Sequence, residues 1–165
     1  MKESRHRKGF SLVEIMISII LVGLSITALV VASNSFTQAN GAGADISTAE
    51  FLIEQIRELT TLLSVVDPNT TTPTFGPESG ETSVATYNDL DDFNDVTFSP
   101  PIDASRTALT ALSSFSQYVR VEKVDQANFD NVVGPHDASD FVRVTVSVAL
   151  NGREISSASW IRARY

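Results

Sequence analysis

Three groups of residues in this chain have the types and spacing to do chemistry. The first is a single acid, Glu14, the only ionisable side chain between Phe10 and Thr37. A carboxylate held in an apolar medium costs about 2–4 kcal/mol at a bilayer centre and less near its edge, so such a residue is a functional hypothesis by default. The plain alternative is an acid that snorkels to the headgroups. The second is the run Tyr87-Asn88-Asp89-Leu90-Asp91-Asp92-Phe93-Asn94-Asp95-Val96. Its oxygens suit a hard cation such as calcium, which takes six to eight oxygen ligands. Asp89, Asp91, Asp92, Asn94 and Asp95 are the calcium candidates. The run does not follow the EF-hand, having no glycine in the sixth place and no glutamate in the twelfth. A solvated acidic turn anchored by Tyr87 and Phe93 is the expected state, with no cofactor required. The third is Gly134-Pro135-His136-Asp137-Ala138-Ser139-Asp140, a His, a Ser and two Asp in one loop. A catalytic triad is assembled by tertiary geometry, so clustering in sequence is no sign of one. No phosphate-binding glycine loop occurs, and His6 is the only other histidine. No enzyme activity is expected.

The element that must position Glu14 is a membrane helix. Ile15–Ala32 (IMISIILVGLSITALVVA) is almost wholly aliphatic, and 18 helical residues measure roughly 27 Å, enough to cross the hydrocarbon core. Its hydroxyls, Ser18, Ser25 and Thr27, can bond back to the carbonyl one turn earlier. Ahead of it, Lys2, Arg5, Arg7 and Lys8 stand against Glu3, a local +3 in a chain of net charge −8 and pI about 4.6. A basic stub that stays cytoplasmic before an acidic body that crosses fits the charge rule of membrane insertion. The acidic balance argues against a nucleic-acid partner. There is no cysteine, which removes disulfides, thiolate metal sites and a Cys nucleophile.

A cleaved secretory signal would have a shorter apolar core and no glutamate inside it, although Val30-Val31-Ala32 could serve as its cleavage site. A plain signal anchor gives no reason for Glu14. The junction Gly9-Phe10-Ser11-Leu12-Val13-Glu14 resembles the prepilin peptidase motif of type IV pilins and type II secretion pseudopilins. Leader length, basic residues, the Gly-Phe pair and the acid four residues after Phe all match. The resemblance implies cleavage between Gly9 and Phe10, N-methylation of Phe10, and pairing of Glu14 with the freed amine of a neighbouring subunit. It also implies a set of partners: other pilin subunits, the peptidase and methylase, and an inner-membrane assembly platform. The implied location is the bacterial inner membrane, with a single pass and the C-terminal domain outside the cytoplasm, and afterwards a pilus or pseudopilus. In that family a glycine or proline in mid-helix allows local unwinding on assembly. Gly23 is present here, but Val31 stands in the proline's place.

Beyond the span, Ser33–Asp45 is small and polar, with Gly41 and Gly43 as weak points. Within Ile46–Val66, Leu52, Ile56, Leu59, Leu63 and Val66 recur every three or four residues and form one apolar stripe. Asp67-Pro68 is the expected end of that helix. Asn69–Ser83, rich in Thr, Pro and Gly, reads as a surface loop. The run Asp-Leu-Asp-Asp-Phe followed by Pro100-Pro101-Ile102-Asp103 resembles a segment of minor pilins of the mannose-sensitive haemagglutinin type. Past Ser105, Tyr118–Val124 and Phe141–Val148 alternate as strands, and Asn151-Gly152 is a favoured hairpin turn. The returning strand, Arg153–Arg164, would carry Ile155, Ser157, Ser159 and Ile161 on one face and Ser156, Ala158, Trp160 and Arg162 on the other.

The expected fold is α+β and pilin-like, a long N-terminal helix packed on a small antiparallel sheet. Its parts are a leader at 1–9, a transmembrane half of the helix at 10–37, an amphipathic half at 38–66 and a globular domain at 67–165. The expected role is a minor-pilin-like subunit of a type IV pilus. The alternatives are a type II secretion pseudopilin and a non-polymerising membrane-anchored binding module.

Overall fold

A computed structural model describes residues 9–67, 75–135 and 139–164. The basic leader with His6, Pro68 and the first part of the Thr-rich loop, and His136 and Asp137 lie outside the described residues. The chain divides into two compact units, residues 1–43 and 44–165.

In the first unit the backbone is helical from Leu12 onward, within α1 (Leu12–Thr61). Ser18 Oγ donates to the Glu14 carbonyl at 2.8 Å, Ser25 Oγ to that of Leu21 at 2.8 Å, and Thr27 Oγ1 to that of Gly23 at 2.9 Å. The polar atoms of the apolar run are thus satisfied within the helix, as a span through lipid requires. Gly41 and Gly43 do not interrupt the helix, because a glycine costs only about 1 kcal/mol against alanine and a long helix absorbs it.

The second unit is built from the last turns of α1 and a four-stranded antiparallel sheet, β1 (Val96–Phe98), β2 (Phe115–Lys123), β3 (Phe141–Leu150) and β4 (Arg153–Ala163), in the order β1-β2-β3-β4. Strand β3 alternates strictly. Val142, Val144, Val146 and Val148 are buried, and they face the same side as Phe115, Val119 and Val121 of β2. The cover is the helix face of Ala49, Leu52, Ile53, Ile56, Leu59 and Thr60. Burying each Val, Leu or Ile contributes about 1.5–3 kcal/mol, so this sandwich of stripe and sheet is the main source of stability. On the outer face, Glu122 of β2 lies opposite Arg143 of β3 and pairs with it at 3.0 Å.

The hairpin joining β3 and β4 turns at Asn151 (φ 51°) and Gly152 (φ 79°), the two left-handed positions that a type I′ turn demands. In β4, Ser156, Ala158, Trp160 and Arg162 stand opposite Val148, Val146, Val144 and Val142, so they share the inner face. Ile155 departs from the face expected to hold it with Ser157, Ser159 and Ile161. A bulge places it between the pairs Val148–Ser156 and Ala149–Glu154, and it packs against the core.

Two further boundaries differ from expectation. Helix α1 stops at Thr61, short of Asp67, so Leu63 and Val66 pack on the core from the segment after the helix. Arg162 explains the stop. Its guanidinium donates to the Thr60 carbonyl at 2.8 Å and to the Leu63 carbonyl at 3.1 Å, taking up carbonyls that a helix end leaves unpaired. The short edge strand β1 was not expected at all, since three residues carry too little pattern to be read.

Candidate processing and assembly site

The start of α1 is organised by Ser11. Its Oγ accepts the Glu14 amide at 3.2 Å, and the Ser11 carbonyl accepts the Ile15 amide at 3.2 Å. Ser11-x-x-Glu14 is the spacing of a capping box, in which a serine satisfies an orphan amide of the first turn. That signal stands in the sequence and points to Ser11, which the reading of the junction passed over. The cap begins the helix at Leu12 and places Glu14 in its first turn, beside the positive end of the helix dipole. Gly9 and Phe10 precede the helix as non-helical backbone. Both residues are exposed.

The side chains that follow are open on every side. Phe10 is 79% exposed and Leu29 71%, and the other large apolar residues from Leu12 to Val31 are more than half exposed. The helix is long and apolar enough to cross a membrane by length and composition. An all-round apolar helix surface in a protein needs lipid or other helices around it.

The acidic run is arranged differently from the solvated turn expected of it. Asp91-Asp92-Phe93 forms a 3-10 turn. Asp89, Asp91 and Asp92 are buried, at 0%, 1% and 0% exposure. Phe93 is buried among the core residues, with the Tyr87 ring edge-on to it at 5.1 Å. Burial pushes the Asp89 carboxyl up to about 8, helped by the neighbouring Asp91, and pushes Asp92 up to about 6. Asp91 is raised for the same reason, burial first. The remaining two candidates are turned to other work. Asn94 Oδ1 accepts the Val121 amide at 3.0 Å, and Asp95 Oδ1 accepts the Tyr118 hydroxyl at 2.6 Å. In their place stand Glu78 and Glu81, from the part of the Thr-rich loop read as plain surface. One carboxylate oxygen from each lies within 4.8 Å of the others and of an Asp92 oxygen. No local pattern joins residue 78 to residue 92, so only the fold could reveal them. In the loop before β3, Ser139 Oγ donates to the Val124 carbonyl, which makes it a structural hydroxyl.

The family model described as the prokaryotic N-terminal methylation motif matches residues 4–30. Neither curated proteins nor solved structures give a match to the chain. The matched stretch takes in the Gly9–Phe10 junction, the Ser11 cap, Glu14 and most of the apolar run. Residues 4–30 thus carry a prokaryotic N-terminal methylation motif, which supports the resemblance to type IV pilins and pseudopilins.

Proposed function

We propose that the chain is a minor-pilin-like structural subunit of a type IV pilus, inserted in the inner membrane as a prepilin and built into a filament through its N-terminal helix. Cleavage between Gly9 and Phe10 removes the basic leader, and methylation falls on the Phe10 amine. The observation that carries this reading is Glu14, one acid set in the first turn of an exposed apolar helix and four residues from Phe10. A lone carboxylate and a lone ammonium are each costly in an apolar medium, and pairing them between neighbouring subunits lowers both penalties. Because the acid sits at a fixed height on the helix, that pair also sets the axial register of an incoming subunit. The exposed apolar surface of residues 12–31 supplies the contact area, first with lipid and then with neighbouring helices. The run Asp89-Leu90-Asp91-Asp92-Phe93 favours a subunit like those of mannose-sensitive haemagglutinin pili.

A type II secretion pseudopilin would use the same junction, acid and helix, and the filament that incorporates the chain separates the two. The test is co-expression with each assembly system, followed by shearing and immunoblotting of the released filaments. Incorporation into pili supports the proposal. Recovery only in the secretion filament overturns it in favour of the pseudopilin, and recovery in neither favours a membrane-anchored binding module.

A further inference from the structure

Strand β4 closes one side of the sheet and is open along its outer edge. It runs for 11 residues with β3 as its one neighbour, a length of roughly 35 Å. Among the described residues no other backbone segment bonds to residues 153–163, so a row of amides and carbonyls faces outward. Edge strands are normally blunted by brevity, proline or charge. The opposite edge, β1, is three residues long and is followed by Pro100-Pro101. In β4, residues 155–161 (ISSASWI) contain neither proline nor charge. The bulge at Ile155 lies at the hairpin end and leaves the rest of the edge regular.

The charges of β4 stand at its two ends. Arg153 and Glu154 begin the strand, and Arg162 and Arg164 mark its finish. Among the described residues the ion pairs are Arg57–Glu54, Arg120–Glu122 and Arg143–Glu122, so none neutralises Arg153, Arg162 or Arg164. Arg162 gives N–H groups to the carbonyls of Thr60 and Leu63, and a guanidinium with five donors keeps others free for a ligand. At this end the edge meets a cavity of about 520 Å³ between residues 61–67 and 162–164. Leu62, 94% exposed, stands in its wall, and Asp67 is the one acid among the described lining residues.

We propose that the free edge of β4 and this cavity form one docking site for an extended acidic segment of a partner protein. About seven uncharged residues of that segment pair with 155–161 as a fifth strand, and the backbone ladder supplies affinity. An acid just beyond that core sits in the cavity against Arg162 and Arg164. A planar guanidinium recognises a carboxylate through paired hydrogen bonds, and a carboxylate is what the charges at this end lack. The site belongs to the sheet and the segment after α1, and it does not rest on assembly into a filament.

The probe is a fluorescein-labelled peptide, Asp-Thr-Val-Ser-Val-Thr-Val-Ser-Asp, titrated by anisotropy onto the full chain in detergent. The expected result is saturable binding that weakens about tenfold or more when both aspartates become asparagine. Binding is lost when proline replaces the central valine, because a strand then lacks a ladder donor. Amide exchange of residues 155–161, followed by mass spectrometry, slows in the bound state. Arg164→Gln changes an exposed side chain and keeps the backbone bond from the Arg164 amide to the Asp140 carbonyl. It should melt as the wild type does and bind the peptide about fivefold or more weakly. Absence of binding, equal affinity for the aspartate and asparagine peptides, or wild-type affinity in Arg164→Gln overturns the proposal. So does unaltered exchange at 155–161 in the bound state. Exchange there that slows with protein concentration alone assigns the edge to a second copy of the chain and overturns it as well.

Discussion

Replacing Gln117 by leucine is expected to loosen the grip of the helix on the sheet by about 2 kcal/mol. Gln117 is completely buried on the inner face of β2. Its Oε1 accepts the Ile102 amide at 2.8 Å, and its Nε2 donates to the Leu52 carbonyl at 2.8 Å and to the Ile102 carbonyl at 3.2 Å. One side chain therefore joins α1, β2 and the segment after β1. Leucine has nearly the same volume, so no large cavity opens. The Leu52 carbonyl sits inside a helix and keeps its helical bond. The Ile102 amide has no second acceptor, and Ile102 is itself buried, so an orphaned N–H costs about 1–3 kcal/mol. Losing the bond to the Ile102 carbonyl adds about 1 kcal/mol, and the apolar gain of leucine offsets about as much again. For a unit of this size, 2 kcal/mol is a fall of about 8 °C in melting temperature. The assay is thermal unfolding of the full chain in detergent, followed by fluorescence of Trp160, which packs against the core and under the Arg57 guanidinium at 4.6 Å. An unchanged or higher melting temperature would refute the reasoning that this glutamine is a staple.

Glu14→Ala should insert in the membrane at least as well as the wild type, since about 2–4 kcal/mol of burial cost is removed, yet enter filaments poorly; membrane fractions compared with sheared filaments decide it, and normal incorporation would refute the pairing role. Gly152→Ala should cost about 1 kcal/mol, because Gly152 holds a φ of 79° that side chains disfavour, and denaturant unfolding against the wild type measures it. Asp89 and Asp92 have carboxyl groups raised by burial to about 8 and about 6. Their protonated forms are favoured by the fold, so stability is full below pH 4 and falls as pH rises through 6 and 8. Denaturant unfolding at pH 5 and pH 8 reads that fall, and a rise instead would contradict it.

What the sequence made legible is what local pattern encodes. The apolar run and its back-bonded hydroxyls, the alternation of Val142–Val148 and the Asn151-Gly152 turn each carry their rule within ten or twenty residues, and each stands in the fold. The methylation motif belongs to the same class, contiguous and near one end. The misses are tertiary. Helix α1 ends at Thr61 because Arg162, a hundred residues on, caps it. The acidic run reads as a solvated turn because charge alone predicts exposure, whereas Phe93 and Leu90 draw the aspartates between them inside. Glu78 and Glu81 sit in a loop without periodicity, and nothing but the folded chain brings them to Asp92. Ser11 is the exception, a capping residue visible in the sequence and overlooked beside the junction.

The central claim concerns the bond between Gly9 and Phe10, and mass spectrometry of the mature N-terminus tests it most directly. The full chain is expressed in a bacterial membrane with and without prepilin peptidase. With the peptidase, the account predicts a chain that begins at Phe10 and carries one methyl group on its amine, and without it a chain that keeps residues 1–9. A chain that retains residues 1–9 in the presence of active peptidase would contradict it.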